Sequence, residues 1–223
     1  MTIIFDYDGT LHDTTYLYAS AVQKVYDRLA QEGYAAPKKW TAAELTKFLG
    51  VTPAQMWDEF MPNLPKEIKE RSSHLVGELM SDNIWSDAKL YDGAEELLCR
   101  LKESGCRLVM LSNCYTDYMD AHRRRFRLDR FFSDYFTAED YGFIPKYKIV
   151  PAILTKYPDR SYMLAGDRAS DMEAAEKNGI PFVACMYGFA EKGELCRYAA
   201  VLDLKSSGAF ENIMNAAAEV NHG

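Results

Sequence analysis

The sequence lacks an excess of positive charge and a long apolar run, and each absence removes a class of protein. Its 26 lysines and arginines are outnumbered by 33 acidic residues, which gives a formal net charge of -7. Proteins that bind nucleic acid backbones usually present a basic stripe, so no nucleic acid partner is expected. There is no run of about 18 apolar residues and no basic, apolar leader before Phe5. We therefore expect no membrane partner and a cytoplasmic location.

The sequence also lacks paired cysteines. Its five cysteines are odd in number, scattered along the chain and without a CxxC pair. A disulfide framework has an even count of cysteines, and a structural zinc site has closely spaced pairs. Reduced, structural thiols are therefore expected at Cys99, Cys106, Cys114, Cys185 and Cys196.

What is present divides into two parts, of which the first has only helical patterns. From Thr14 to about Lys89 the apolar residues recur at helical spacing, in YLYASAVQKVYDRLAQEG, TAAELTKFLG, TPAQMWDEF and residues 65–85. Thr52 before Pro53 is typical of a helix start, and Gly33 and Gly50 are typical of helix ends. This part is predicted to be all-helical.

From Leu90 onward, strand and helix patterns alternate. Strands are predicted at 107–111, 135–137, 162–165, 181–185 and near Val201. Helices are predicted at 94–103, 117–125, 149–156, 171–177 and from Phe210 to the end. Such alternation predicts an α/β fold with a doubly wound parallel sheet. An early strand up to Phe5 has no crossover helix beside it, so residues 14–88 are predicted to be an insertion into a core of residues 1–13 and 89–223.

Polar side chains follow several of these strands at the point where each strand ends. Ligands of an open parallel sheet bind beyond the carboxyl ends of its strands. The residues expected there are Asp6, Asp8, Thr10, Ser112, Asn113, Lys146, Asp167 and Asp171. Clustered carboxylates repel each other unless a divalent cation lies among them, and oxygen ligands favour Mg²⁺. Asp6, Asp8 and Asp167 are expected to hold this ion.

Each feature has an ordinary structural explanation when it is taken alone. DGT is a common turn, Ser112 with Asn113 is suited to capping the next helix, and a lone lysine is usually solvated. Asp171 suits the first turn of a helix, where the dipole favours an acid. Their occurrence together at successive strand ends favours a single catalytic site.

The segments DYDGTLHDT, LSN and GDRASD, with Lys146 between the last two, resemble the four signature motifs of the haloacid dehalogenase superfamily. LYDGAEELLCRLKESGCRLVMLSN and NGIPFVACMYGF resemble the family's segments around its second motif and after its fourth. The resemblance implies a Rossmann-like core with an inserted all-helical cap, as in phosphoglycolate phosphatase-like members. It also implies a magnesium-dependent phosphatase acting on a small phosphorylated metabolite.

The resemblance further implies a role for each residue. Asp6 would attack the phosphoryl group and form an aspartyl-phosphate, while Asp8 would protonate the leaving oxygen and then deprotonate water. Asp6, Asp167 and the backbone carbonyl of Asp8 would bind Mg²⁺, and Asp171 would orient a metal-bound water. The phosphate-binding residues would be Thr10, Ser112, Asn113 and Lys146.

Several alternatives remain open at this stage. Lys148 competes with Lys146 for the active-site position, although Lys146 has the better spacing to the next helix. His12 stands where the family usually has an apolar residue, and either contact with the cap or packing explains it. A phosphomutase or a phosphonate hydrolase would share the core, and the non-enzyme alternative is a phospho-accepting receiver module. A monomer or weak homodimer is expected.

Overall fold

The computed structural model of the protein describes residues 1–206 and 208–220, and its centre is a parallel sheet. Its strands are β1 (Thr2–Phe5), β2 (Arg107–Ser112), β3 (Asp134–Thr137), β4 (Tyr162–Gly166), β5 (Phe182–Ala184) and β6 (Ala200–Val201). The strand order is β3-β2-β1-β4-β5-β6, and all neighbouring pairs run parallel. This is the order of a doubly wound Rossmann-like fold. The predicted α/β fold class is confirmed.

Five helices lie between β1 and the remainder of the core, and we call residues 15–87 the helical insertion. They are α1 (Thr15–Gln31), α2 (Ala42–Thr46), α3 (Pro53–Phe60), α4 (Lys66–Asp82) and α5 (Ile84–Asp87). Thr52 caps α3 as predicted, because its hydroxyl accepts from the Gln55 backbone and the Gln55 side chain accepts from Thr52 N–H. The division into domains at 13/14 and 88/89 stays a prediction.

The core helices are α6 (Ala94–Glu103), α7 (Thr116–Phe126), α8 (Lys146–Lys156), α9 (Ala169–Lys177) and α10 (Ala209–Val220). They bury both faces of the sheet. Ile3 and Phe5 belong to one cluster of buried apolar side chains, whereas Ile4 belongs to a second cluster. Successive strand residues point to opposite faces, so β1 contributes to both clusters. The end of the predicted final helix, residues 221–223, lies outside the described residues.

Helix α8 begins three residues earlier than predicted and contains Pro151. A proline inside a helix leaves the carbonyl four residues before it without its N–H partner. Here that carbonyl belongs to Tyr147, and it accepts a hydrogen bond of 2.9 Å from the side-chain amide of Asn178. The helix therefore runs through the proline and places Lys146 in its first turn.

The two connections between the helical insertion and the core run side by side. The amide of Asp13 donates to the carbonyl of Lys89 at 2.9 Å, and the amide of Tyr91 donates to the carbonyl of Leu11 at 2.9 Å. His12 and Leu90 form an isolated antiparallel bridge. These contacts hold the entry and exit of the insertion together at the carboxyl end of β1. No helix among the described residues is long and apolar enough to cross a membrane.

Candidate active site

Three buried carboxylates and one lysine meet at the carboxyl edge of the sheet. Asp6, Asp167 and Asp171 each offer an oxygen atom, and these atoms all lie within 4.8 Å of one another. Phe5 is paired with both β2 and β4, so Asp6 emerges between two neighbouring strand ends. Lys146 Nζ donates to Asp6 Oδ1 at 2.5 Å and to Asp171 Oδ1 at 2.6 Å. The sheet and α8 thus bring together residues that are far apart in the sequence.

This cluster carries more negative charge than its lysine neutralises. Burial and the neighbouring Asp171 raise the pKa of Asp6 to about 7, although Lys146 acts in the opposite direction. Burial, Asp6 and Asp171 likewise raise the pKa of Asp167 well above its usual range. Burial disfavours the charge on Lys146, but Asp171 and Asp6 outweigh it and raise the pKa of the ammonium group. A divalent cation with oxygen ligands fits this arrangement of charge.

Glycines allow the backbone to approach Asp167 closely. A Cβ atom at Gly9 would lie 2.2 Å from Asp167 Oδ2, and one at Gly188 would lie 2.4 Å from the same oxygen. Gly9 also has a φ angle of +86°, which favours glycine. The amide of Phe189 donates to Asp167 Oδ2 at 2.6 Å. The glycine of DGT is therefore required by the space around the carboxylate as well as by the turn.

The carboxylate of Asp8 has a separate set of partners and is not part of the acidic cluster. Its Oδ1 accepts from the Thr14 hydroxyl at 2.7 Å and the Tyr118 hydroxyl at 2.8 Å, and it lies 3.0 Å from His12 Nδ1. Burial opposes ionisation of Asp8, but His12, His122 and the hydrogen bond from Thr14 together outweigh it, so the pKa lies below its usual range. Asp6, Asp8, Asp167 and Asp171 were all expected at the metal site, Asp8 through its backbone carbonyl; the carboxylates that lie together are those of Asp6, Asp167 and Asp171.

His12 is fully buried behind this carboxylate. Its ring stacks on Tyr7 with centroids 5.3 Å apart, and it lies 4.5 Å from the ring of His122. His122 Nδ1 is in turn 2.7 Å from the Tyr7 hydroxyl. Sequence reasoning missed Thr14, Tyr118 and His122 as members of this site. The second threonine in DYDGTLHDT was the available signal for Thr14, while no local pattern distinguished the other two residues.

The predicted phosphate-binding residues have different surroundings. The Thr10 hydroxyl lies 3.4 Å from Asp6 Oδ2 and 3.2 Å from Asp167 Oδ1. Ser112 is buried at the end of β2 and lines a cavity next to Asp6 and Asp8. The side-chain amide of Asn113 donates to the carbonyl of Gly50 at 2.8 Å, so it contacts the helical insertion. Thr10 and Ser112 are thus close to the nucleophile candidate, whereas Asn113 joins core to insertion.

The choice between the two lysines of PKYK follows from burial. Lys146 is almost completely buried and pairs with Asp6 and Asp171. Lys148 is exposed, and its ammonium group lies 5.8 Å from the centre of the Tyr147 ring. The structure therefore brings Lys146, and not Lys148, to the acidic cluster.

A turn of the helical insertion, residues 47–50, rests on the core beside the cluster, and we call it the docking turn. The Arg168 guanidinium donates to the carbonyls of Lys47 and Leu49, and it pairs with Glu194 at 2.8 Å. A Cβ atom at Gly50 would lie 2.4 Å from Arg168 Cγ.

A cavity of about 100 Å³ lies next to the docking turn and extends from Asp6 and Asp8 into the insertion. The acids thus lie at the core end of a cavity formed between the core and the insertion.

Comparison with known proteins shows which family this sequence resembles. The sequence profile described as haloacid dehalogenase-like hydrolase matches residues 3–185. Phosphoglycolate phosphatase from Synechococcus elongatus is 24% identical over 200 residues, which cover 86% of this chain and 87% of that protein.

Solved structures share the fold over nearly the whole chain. A predicted phosphatase from Clostridium acetobutylicum has a TM-score of 0.78 at 23% identity, covering 96% of this chain and 98% of that one. CbbY from Rhodobacter sphaeroides in complex with phosphate has a TM-score of 0.76 at 17% identity, covering 94% and 98%. The resemblance noted in the sequence is confirmed, and the chain belongs to the haloacid dehalogenase-like hydrolase family.

Proposed function

We propose that the protein is a magnesium-dependent phosphatase that hydrolyses a small phosphomonoester through an aspartyl-phosphate on Asp6. The observation that carries this proposal is the contact of Asp6 with Lys146 at 2.5 Å at the end of a cavity between core and insertion, where Asp8 also lines the wall. A nucleophile, a cation and a second acid are then within reach of one bound phosphate. The curated relative from Synechococcus elongatus, a phosphoglycolate phosphatase, supports the same reaction class.

In the first step, a carboxylate oxygen of Asp6 attacks phosphorus and the bond to the leaving oxygen breaks. Lys146 holds the carboxylate in place and offsets the charge of the phosphate. The hydroxyls of Ser112, which lines the cavity, and of Thr10, 3.4 Å from Asp6 Oδ2, are proposed to donate to phosphate oxygens. In the second step, water attacks phosphorus and releases phosphate, which regenerates Asp6.

The residues fit a magnesium ion, because Asp6, Asp167 and Asp171 converge and, within residues 1–206 and 208–220, Lys146 is the one cation paired with them. Asp6 and Asp167 would hold the ion, together with the backbone carbonyl of Asp8. Asp171 would orient a water molecule bound to the ion. When bound, Mg²⁺ screens the nucleophile from the phosphate and stabilises charge on the phosphoryl oxygens.

Asp8 is proposed to move the proton in both steps. Its carboxylate is held by Thr14, Tyr118 and His12 and lines the cavity, so it is available to the leaving oxygen instead of being taken up by the three clustered acids. In the free protein these contacts keep its pKa low. A phosphate dianion bound beside Asp8 raises that pKa and favours the protonated form that the leaving group needs.

The helical insertion, with proposed domain bounds at residues 14 and 88, is proposed to act as the cap over this site. The contacts of Arg168 and Asn113 with the docking turn support a closed arrangement that excludes water. A phosphonate hydrolase would need a Schiff-base lysine from the cap. No lysine is found among the described residues that line the cavity, so this alternative lacks support.

The test of the function is phosphate release by the purified protein with Mg²⁺ from a panel of phosphoesters. The panel comprises an aryl phosphate, sugar phosphates, alkyl phosphates, phosphoglycolate, nucleotides and pyridoxal phosphate. Continuous release, with many turnovers per chain, is expected. Release from none of them would refute the phosphatase, and a single phosphoryl transfer without turnover would indicate a receiver module.

Replacing Asp8 by asparagine is expected to lower the turnover of alkyl phosphates by about 10²- to 10⁴-fold, because proton transfer is lost. With p-nitrophenyl phosphate the first step needs no proton, whereas the second still needs a base. A burst of about one nitrophenolate per chain, followed by slow release, is therefore expected in rapid-mixing measurements.

The matched control for Asp8→Asn is Asp117→Asn, which changes an exposed carboxyl at the start of α7. This control should retain the wild-type rates for both substrates. Equal losses for alkyl and nitrophenyl phosphates without a burst would show that Asp8 does not transfer the proton.

A further inference from the structure

The cavity above Asp6 and Asp8 has an apolar roof. The helical insertion contributes Phe48, Leu49, Met56, Trp57, Val76 and Met80 to its walls. All six side chains are buried, and Trp57 has no exposed surface at all. Among the described residues that line this cavity, only Asp6 and Asp8 are Asp, Glu, Lys, Arg or His. The insertion therefore offers the leaving group no ionic partner.

We propose that the substrate's leaving group is a small, uncharged and largely apolar alcohol. This inference rests on the proposed phosphatase function and specifies the substrate class of the same site. It separates this chain from its curated relative, a phosphoglycolate phosphatase, because glycolate carries a carboxylate. A carboxylate placed against these walls would lose its hydration without gaining a cation, and that loss is costly.

Three cations in the surroundings of the cavity are already engaged. Lys146 pairs with Asp6 and Asp171 below the floor. The Arg168 side chain packs against Gly50, and its guanidinium pairs with Glu194 and donates to the carbonyls of Lys47 and Leu49. Lys69 of α4 pairs with Asp58 at 2.7 Å and donates to the carbonyl of Pro62. None of these three lysine and arginine side chains lines the described cavity.

The polar groups that the roof does offer are uncharged. The Tyr18 hydroxyl and the Trp57 indole N–H are buried and have no hydrogen-bond partner among the described residues. The Ser73 hydroxyl donates to the carbonyl of Lys69 within its own helix at 2.9 Å. These groups accommodate a neutral oxygen on the leaving group but do not compensate a full negative charge.

The size of the cavity limits the leaving group. Its volume is about 100 Å³, whereas an apolar cavity of about 150 Å³ holds benzene. At the same volume per heavy atom this cavity holds about four, so an alkyl group of about four carbon atoms is the upper limit for the closed arrangement. Larger leaving groups would require the insertion to move away from the core.

The test compares two substrates of the wild-type protein that differ in charge but not in shape. Phosphoglycolate and isobutyl phosphate both place the leaving oxygen on a primary carbon bonded to a planar or branched three-atom group. Isobutyl phosphate is expected to have a kcat/KM at least about tenfold higher, because its leaving group is not charged. The measurement is the initial rate of phosphate release with Mg²⁺ at neutral pH.

A variant pair tests the cause of that preference. Met56→Lys puts a cation into the cavity wall, and Ala54→Lys puts the same charge on the exposed side of α3. The ratio of the two kcat/KM values is expected to shift toward phosphoglycolate by at least about tenfold in Met56→Lys and to stay unchanged in Ala54→Lys. Because both substrates carry the same phosphate group, any change in phosphate binding or in the chemical step cancels in this ratio. Thermal unfolding checks that both variants are folded.

The outcomes separate this inference from the proposed function. Equal or faster hydrolysis of phosphoglycolate by the wild-type protein would overturn the apolar leaving group and leave the phosphatase intact. Hydrolysis of other phosphoesters, with isobutyl phosphate untouched, would overturn it as well. Hydrolysis of no phosphoester at all would instead refute the phosphatase.

Discussion

Replacing Asp6 by asparagine is expected to reduce phosphate release by at least about 10⁴-fold, because the variant lacks the nucleophile. An amide oxygen is a poor nucleophile toward phosphorus, so neither turnover nor a covalent intermediate should form. The expected result with p-nitrophenyl phosphate is the absence of a burst, which distinguishes this variant from Asp8→Asn. The measurement is rapid mixing followed by quantification of nitrophenolate and of protein-bound phosphate.

The matched control for Asp6→Asn is Asp92→Asn, which removes an exposed carboxyl paired with Lys89. It should keep the wild-type rate and the same thermal unfolding midpoint, within error. Exposed ion pairs contribute little to stability, at about 0–1 kcal/mol. Wild-type turnover by a folded Asp6→Asn protein would mean that the active site lies elsewhere.

Removing divalent cations with excess chelator is expected to abolish turnover, and magnesium should restore it. The reason is the charge of Asp6, Asp167 and Asp171, which Lys146 alone does not balance. Because the ion binds the folded chain, magnesium should also raise the thermal unfolding midpoint, independently of activity. Calcium should restore turnover poorly, since its longer and more variable coordination misplaces the nucleophile.

Asp167→Asn is the variant that links this stabilisation to the acidic cluster. It should lose most of the magnesium-dependent rise in unfolding midpoint, while Asp92→Asn should retain it. Full activity in excess chelator, or an equal rise in Asp167→Asn, would contradict the proposed metal site.

Much of the core could be predicted because its signals are local. An apolar run followed by DYDGT predicts a buried strand with acids at its carboxyl end, and the strand patterns from Leu90 onward predict where the others end. Ligand positions in an open parallel sheet follow from those ends. This is why Asp6, Asp167 and Lys146 were expected together before any contact was visible. Pro151 obscured the start of α8, because the compensating partner Asn178 lies 27 positions after it in the sequence.

The surroundings of Asp8 and Asn113 could not be predicted, since they depend on how separate elements meet. Spacing of two residues places Asp6 and Asp8 near each other but does not say which carboxylate faces the acidic cluster. The Asp8 carboxylate is held by His12 and Thr14, which are near in sequence, and by Tyr118, which comes from α7. The partner of Asn113 is a backbone carbonyl of the helical insertion. Carbonyls have no sequence signature, so such contacts are visible only in the folded chain.

The docking turn is held to the core through its backbone carbonyls. The contacts that close the site therefore do not depend on the side chains that select the substrate. Arg168 and Asn113 bind the carbonyls of residues 47, 49 and 50, and every amino acid has a carbonyl. Apart from Gly50, which has no room for a Cβ atom beside Arg168, substitutions in the insertion leave these acceptors in place. In evolutionary terms, a lineage of such enzymes can change the cavity walls, and with them the accepted alcohol, while the same core residues continue to hold the insertion closed.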